Sequence, residues 1–143
     1  MARRAVERLN SNDLGTSAVE FAMIAPVLLL MIWGMIAYGI YFSAAHSLQQ
    51  MAANAARHTV AGLDEDERKD LAQLFIDQNF PESGMFQRDH LEIGVFDTPD
   101  VDNQFEVVLT YDASALPIWD VFAPLPLPSK TIKRHSVIRV GGH

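Results

Sequence analysis

Charged and apolar positions are unevenly distributed along the chain. No Asp, Glu, Lys or Arg occurs between Glu20 and Arg57, and residues 21–45 form an uncharged, largely apolar run of 25 residues. About 20 helical residues cross the hydrocarbon core of a bilayer, and a helix buried in a small domain is seldom apolar on every face. The run therefore predicts a transmembrane helix.

The residues that flank this run predict its orientation. Arg3, Arg4 and Arg8 precede it, whereas the next basic residue is Arg57. The positive-inside rule then places the N-terminus in the cytoplasm and the C-terminal part outside. The alternative is a secretory signal peptide cleaved after the small residues near Ala45, which would release a soluble protein. Its apolar region would span only about 7 to 15 residues.

Helical spacing continues beyond the apolar run. Apolar and small residues recur at this spacing as far as residue 61, and Gly62 predicts the C′ stop of the helix. Asp64, with Glu67 three positions later, predicts the N-cap of a second helix that ends before Pro81. The apolar stripe of this helix is predicted to cover a sheet, and it consists of Leu71, Leu74 and Phe75.

Beyond Pro81 the hydrophobic period changes from helical to two. Apolar residues alternate over 91–95 and 105–111, and a third run rich in β-branched residues covers 131–140. A short acidic turn containing Pro99 joins the first two runs, which favours antiparallel pairing. The sequence thus predicts an α+β protein, with a long N-terminal transmembrane and stalk helix. A small external head at residues 62–143 follows, with a second helix and about three antiparallel strands.

Composition narrows the classes of function. The net charge of −7 and the pI near 5.0 argue against a nucleic-acid partner. The absence of cysteine excludes disulfides and thiolate metal sites. No motif places a nucleophile beside a base, so we expect no enzymatic activity and no cofactor.

Candidate metal ligands are scattered or incomplete. The three acids Asp97, Asp100 and Asp102 offer a cation site or a plain acidic turn, but they lack the full EF-hand pattern. The five histidines show no ligand spacing, so we expect them to be solvated or packed rather than metal-bound. They are His46, His58, His90, His135 and His143.

The segment 116–127 is unusually apolar for a loop. One interpretation is that it folds over the sheet and completes the small core. The other is a docking patch for a second protein, with Ile118, Trp119 and Phe122 as the candidate partner residues.

A compact motif precedes the apolar run, and two interpretations of it stay open. It reads Gly15-Thr16-Ser17-Ala18-Val19-Glu20-Phe21. Ser17 and Glu20 have the spacing of a capping box at a helix N-terminus. Alternatively, a basic leader that ends in Gly15, a glutamate at the fifth position after it and an apolar helix directly behind it mark a processing site.

In this context the segment GTSAVEFAMIAPVLLLMIWGMIAYG resembles the TadE-like family, the minor pilins or pseudopilins of tight-adherence (Tad, Flp) pili. The resemblance implies that a prepilin peptidase cuts between Gly15 and Thr16. Residues 1–15 would be the removed leader, and residues 16–61 the transmembrane and stalk helix. Major pilins of this kind usually carry Tyr after the glutamate. Phe21 and the large head therefore imply a minor component.

The resemblance also implies partners and a location. The partners would be other pilins and minor pilins, the prepilin peptidase, the inner-membrane assembly platform and the lipid bilayer, in a system for surface attachment. The protein would lie in the bacterial inner membrane with a periplasmic head. The alternative is an unprocessed single-pass anchor whose head is a protein-binding module.

Two further expectations follow from the physical chemistry of this segment. Cleavage would expose an α-amine at Thr16, which can pair with Glu20 of a neighbouring subunit, since an unpaired carboxylate at the bilayer boundary is costly. Pro26 is expected to weaken or kink the helix, as are Gly34 and Gly39, which also permit close helix packing.

Overall fold

The computed structural model describes residues 3–81, 86–99, 101, 103–119 and 128–141, with side chains from Gly15 onward. The main elements are two helices followed by three strands, which confirms the predicted α+β architecture. They are α1 (Arg3–His58), α2 (Glu65–Asn79), β1 (Leu91–Asp97), β2 (Gln104–Asp112) and β3 (Thr131–Arg139). The chain forms two compact units, Met1–Ala37 and Tyr38–His143.

The first unit consists of the N-terminal part of α1. From Val19 to Ile36 nearly every large apolar side chain of this part is exposed. Gly15–Ala61 is long and apolar enough to cross a membrane, and its most apolar stretch has no buried residue. A helix that is apolar all round and lacks a protein cover is suited to lipid. This part of α1 is therefore a membrane anchor.

The second unit contains a three-stranded antiparallel sheet in the order β1-β2-β3. All three predicted strands are confirmed. Alternate residues of β2 point to one face, where Phe105, Val107, Leu109 and Tyr111 are fully buried. This buried face of the central strand β2 forms one side of the core of the head.

Two helices supply the other side of the core. The C-terminal part of α1, which belongs to the second unit, contributes a fully buried stripe that includes Leu48, Ala52 and Ala55. Helix α2 packs along β1 and buries Ala72 and Ile76. The expected stripe of α2 is wrong at Leu74, which is 56% exposed. The head's compact unit thus begins at Tyr38, earlier than residue 62.

The junction between the helices is a tight turn. Helix α1 ends at His58 and continues as a 3₁₀ turn over Thr59–Ala61. Gly62 follows with extended backbone, φ −71° and ψ 138°, so the helical run stops at Gly62 as predicted and does so without a left-handed residue. Glycine is needed here for space, because a Cβ would lie 2.7 Å from Cγ of Arg68 and 2.9 Å from its backbone N.

The N-cap predicted for α2 is confirmed. The carboxylate of Asp64 accepts a hydrogen bond from the backbone N–H of Glu67 at 2.8 Å. In return the carboxylate of Glu67 accepts one from the backbone N–H of Leu63 at 2.8 Å. Two N–H groups that would lack a helical partner are therefore satisfied by side chains.

Candidate assembly site on the N-terminal helix

Helix α1 runs without a break through residues 15–21, since it begins at Arg3. An N-capping box at Ser17 would require the helix to begin there. In the uncleaved chain Ser17 therefore caps no helix N-terminus. Glu20 lies on the exposed surface of the helix, where its carboxylate can meet groups of another molecule.

The surroundings of Glu20 are exposed and apolar. Its neighbours Val19 and Phe21 are 62% and 67% exposed, and Glu20 is itself exposed. No cation pairs with Glu20 among the side chains that the structure describes. A carboxylate in this position can accept hydrogen bonds from an ammonium group brought by another molecule.

Gly15 occupies a helical position with open surroundings. A Cβ placed there would meet nothing within 4 Å. Glycine in a helix interior is about 1 kcal/mol less favourable than alanine, so Gly15 weakens the helix locally. The helix around the Gly15–Thr16 bond is consequently easier to unwind into the extended form that a protease binds.

The three residues expected to bend or pack the helix lie on α1. Pro26 lies inside the helix, which continues past it without interruption. Gly34 is partly buried, whereas a Cβ on Gly39 would meet nothing within 4 Å. The missing side chain at Gly39 leaves room for another helix to approach closely.

The apolar segment after β2 contributes to the core where it is described. Leu116 and Ile118 are 2% and 1% exposed. The indole N–H of Trp119 donates to the carbonyl of Ala113 at 2.5 Å. Ile118 is therefore a core residue, which favours the first interpretation of this segment, while Phe122 lies outside the described residues.

Asp97 is the one acidic candidate that lies among the described residues. Asp97 accepts a hydrogen bond from the guanidinium of Arg68 at 2.5 Å, while Asp100 and Asp102 lie outside the described residues. Among the described residues no three His, Asp or Glu side chains are grouped to hold a metal ion.

The described histidines have separate surroundings, and His143 lies outside the described residues. His58 stacks on Phe75 with ring centroids 4.2 Å apart. His46 shares a 2.9 Å hydrogen bond with Gln50. His90 and His135 lie 3.8 and 3.9 Å from the carboxylates of Asp112 and Glu106.

Asp112 ends β2 and caps a short 3₁₀ turn. Its carboxylate accepts a hydrogen bond from the backbone N–H of Ser114 at 2.9 Å. This bond, helped by the Ser114 side chain and by His90, lowers the pKa of Asp112 below its usual value. The group thus has a structural role at the edge of the head.

Arg68 is the organising residue that sequence reasoning missed. Its Nε donates to the carbonyl of Gly62 at 3.2 Å, and its guanidinium carbon lies 4.8 Å from the ring centroid of Phe105. Together with its bond to Asp97, these contacts join the helix junction to β1 and β2. The close contact between Gly62 and Arg68 indicates this role. That contact depends on the folded structure and cannot be recognised in a single sequence.

Comparison with known proteins found one family that matches the N-terminal helix. The family described as TadE-like protein matches residues 15–57. No curated protein and no solved structure matches the chain. The matched segment begins at Gly15, includes Glu20 and the apolar run, and ends one residue before α1 does. Residues 15–57 are therefore similar to the TadE-like family, which confirms the resemblance over this segment.

Proposed function

We propose that the protein is a minor pilin or pseudopilin that a prepilin peptidase processes and that takes part in assembling a Tad/Flp pilus. The observation that carries this proposal is a TadE-like helix whose large apolar side chains from Val19 to Ile36 are exposed on nearly all sides, with the carboxylate of Glu20 near the start of this stretch. Such a helix can exchange lipid for neighbouring helices without losing internal contacts, which is what entry into a fibre demands.

In this proposal Glu20 is the residue that recognises a neighbouring subunit. Cleavage after Gly15 creates an ammonium group at residue 16, four residues before Glu20. The same group on a neighbouring subunit would neutralise the carboxylate in poorly hydrated surroundings. Because an unpaired charge is costly there, this pair would fix the axial register between subunits.

The proposed location follows from the same helix. The basic leader remains in the cytoplasm, the apolar part of α1 spans the inner membrane, and the head lies in the periplasm. The role is assembly and surface attachment rather than catalysis. Its partners are other pilins, the peptidase and the inner-membrane assembly platform.

Mass spectrometry of the protein from cells tests the processing step. With a competent prepilin peptidase, the N-terminal residue should be Thr16. In cells that lack the peptidase, and in the Gly15→Val variant, the leader should remain. Recovery of only full-length wild-type protein from peptidase-containing cells would contradict the proposal.

A second candidate function is an unprocessed anchor whose head binds a protein. The face of the sheet opposite the core favours it, since Phe96 and Val137 there are 54% and 50% exposed. Both side chains flank Glu106 in one row across the sheet. If the protein is such an anchor, mass spectrometry of the protein from peptidase-containing cells should give the mass of the full-length chain.

A further inference from the structure

A shallow groove of about 450 Å³ lies between α1 and β3 within the second compact unit. It is lined by Phe42, Ala45, His46 and Gln49 of α1 and by Arg134 of β3. The helix residues are spaced three and four apart, so they share one face of α1. The groove therefore has an aromatic end at Phe42 and a polar end at Gln49.

The strand is held at the level of the polar end. The side-chain amide of Gln49 donates a hydrogen bond to the carbonyl of His135 at 2.9 Å. Arg134 precedes His135, so its guanidinium reaches the groove beside Gln49. The bond to β3 also fixes the Gln49 side chain, which reduces the entropy that a ligand would otherwise lose on binding.

The groove lies where the apolar run ends. Gln49 follows Ala45, the last residue of the run, by four positions, which is about 6 Å along a helix axis. The polar layer on each side of a bilayer is about 5–7 Å thick, from a total of about 40–45 Å and a core of about 30 Å. The run is about 37 Å long and therefore exceeds the core by about 7 Å. When the core ends at Ala45, Gln49 and Arg134 lie at headgroup depth and Phe42 lies beside the acyl chains.

Arg134 is the basic residue of β3 that lines the groove. It shares the core-facing side of the sheet with the buried Ile132, whereas Lys133 and Arg139 alternate to the opposite face. One guanidinium nitrogen of Arg134 donates to the carbonyl of Lys133 at 2.9 Å, and no carboxylate pairs with it among the described residues. Its other N–H groups remain suited to a phosphate, which guanidinium binds in bidentate geometry.

We propose that this groove binds one phospholipid, with the headgroup phosphate on Arg134 and an acyl chain along Phe42. A bound lipid would fix the height and rotation of the head above the bilayer before any assembly step. The inference rests on α1 spanning the membrane. It does not depend on cleavage after Gly15 or on incorporation into a pilus.

The test uses the full chain reconstituted in vesicles of phosphatidylethanolamine and phosphatidylglycerol and then extracted in mild detergent. Native mass spectrometry counts the phospholipids that each protein retains. Wild type should retain one lipid, and Arg134→Gln should lower this retention about tenfold or more, the size expected for a lost charge-assisted hydrogen bond. Arg139→Gln is the matched control, because it removes the same charge from the same strand outside the groove.

A second variant keeps the proposal testable if Arg134→Gln fails to fold. The Phe42 side chain is 63% exposed, so Phe42→Ala should leave the head folded by circular dichroism. It should also lower lipid retention. Unchanged retention in a folded Phe42→Ala protein would overturn the proposal, as would equal losses in the two arginine variants.

Two further measurements separate the sources of the anion and the alternative occupants. Displacement of the lipid by millimolar inorganic phosphate would overturn the proposal in favour of a free-phosphate site. Disulfide formation between two copies of His46→Cys would overturn it in favour of a subunit interface. Flotation of wild type with the vesicles reports membrane anchoring separately, so failure of the anchor is distinguishable from failure of the groove.

Discussion

Two charged residues in opposite surroundings explain much of how this protein is built. Arg68 has a side chain only 12% exposed, and two of its nitrogens donate hydrogen bonds within the head. Glu20 is exposed and has no cation partner among the described side chains. The first residue therefore stabilises the fold, whereas the second remains able to bind something outside it.

Arg68→Ala should destabilise the head by about 2 kcal/mol, because it removes hydrogen bonds to Gly62 and Asp97 and the contact with Phe105. Chemical unfolding of the full chain in detergent, followed by near-ultraviolet circular dichroism, measures this change. Lys69→Ala is the control, since Lys69 is an exposed neighbour on the same helix, and it should change stability by less than about 0.5 kcal/mol. Equal stabilities of the two variants would contradict the role given to Arg68.

Glu20→Gln separates processing from assembly. The variant should insert in the membrane and be cut after Gly15, because the leader and the apolar run are unchanged. It should fail to enter the pilus, since a neutral amide cannot pair with the α-amine of a neighbour. The measurements are the mass of the mature protein and the amount of protein in sheared pili.

Glu20→Asp is the matched control for Glu20→Gln, because it keeps the charge on a shorter side chain. It should restore assembly in part. Normal piliation with Glu20→Gln as the only copy would refute the pairing between subunits.

At the scale of elements, α1 has two parts with different surroundings. Up to Ile36 its large apolar side chains are exposed, whereas from Ala44 onward small residues and Leu48 are fully buried. Small side chains allow a helix backbone to approach a sheet closely, so the C-terminal part serves as a layer of the head. The same helix is thus an anchor in one part and a core element in the other.

Leu48→Ala should destabilise the head by about 2 to 5 kcal/mol, since it removes a fully buried side chain and leaves a cavity. Leu74→Ala provides the same chemical change at a site that is 56% exposed, and it should cost less than about 1 kcal/mol. The unfolding midpoint in detergent compares the two variants. A larger loss for Leu74→Ala would mean that the other face of α2 is the buried one.

These elements also show how far the sequence predicts the fold. Strand alternation and the Asp64 cap predicted β1 to β3 and the start of α2, because both signals are local. The expected burial of Leu74 was wrong, since which face of a short amphipathic helix is covered depends on how it docks. Gly62 was predicted correctly as the end of the helical run, but the need for glycine there was not visible in the sequence, because it comes from Arg68, six residues away.

The candidate site shows the same division between local and distant information. The apolar run, Gly15 and Glu20 are visible in the sequence because each is a local signal. The capping-box interpretation of Ser17 does not hold in the uncleaved chain, because helix α1 begins well before it. The groove at Arg134 joins residues about 90 positions apart along the chain, and no periodicity reports such a contact.

At the scale of the whole molecule, the two compact units have different requirements. The unit Tyr38–His143 has its own core of sheet and helices. The unit Met1–Ala37 has an apolar helix whose surface needs lipid or other helices. The head should therefore fold before assembly, and the free-energy change of assembly should come mainly from the N-terminal helix.

The same division predicts the topology of the protein in the cell. The basic leader should hold the N-terminus in the cytoplasm, because moving Arg3, Arg4 and Arg8 through hydrocarbon is costly. A protease added to intact spheroplasts should then digest epitopes placed after about residue 60. A cytoplasmic marker protein should stay intact in the same sample. Protection of the head until lysis would show that the orientation is inverted.

A charge-swap variant tests whether the leader arginines set this topology. Replacing the three leader arginines by Gln while introducing Gln50→Lys and Asn54→Lys moves the positive charge to the other end of the apolar run. Both new lysines lie at exposed positions of α1, so the head should still fold. The positive-inside rule then predicts that a large fraction of the heads becomes protected in spheroplasts. If the head stays fully accessible in this variant, the leader charges do not set the orientation, and the mass of the C-terminal part must do so instead.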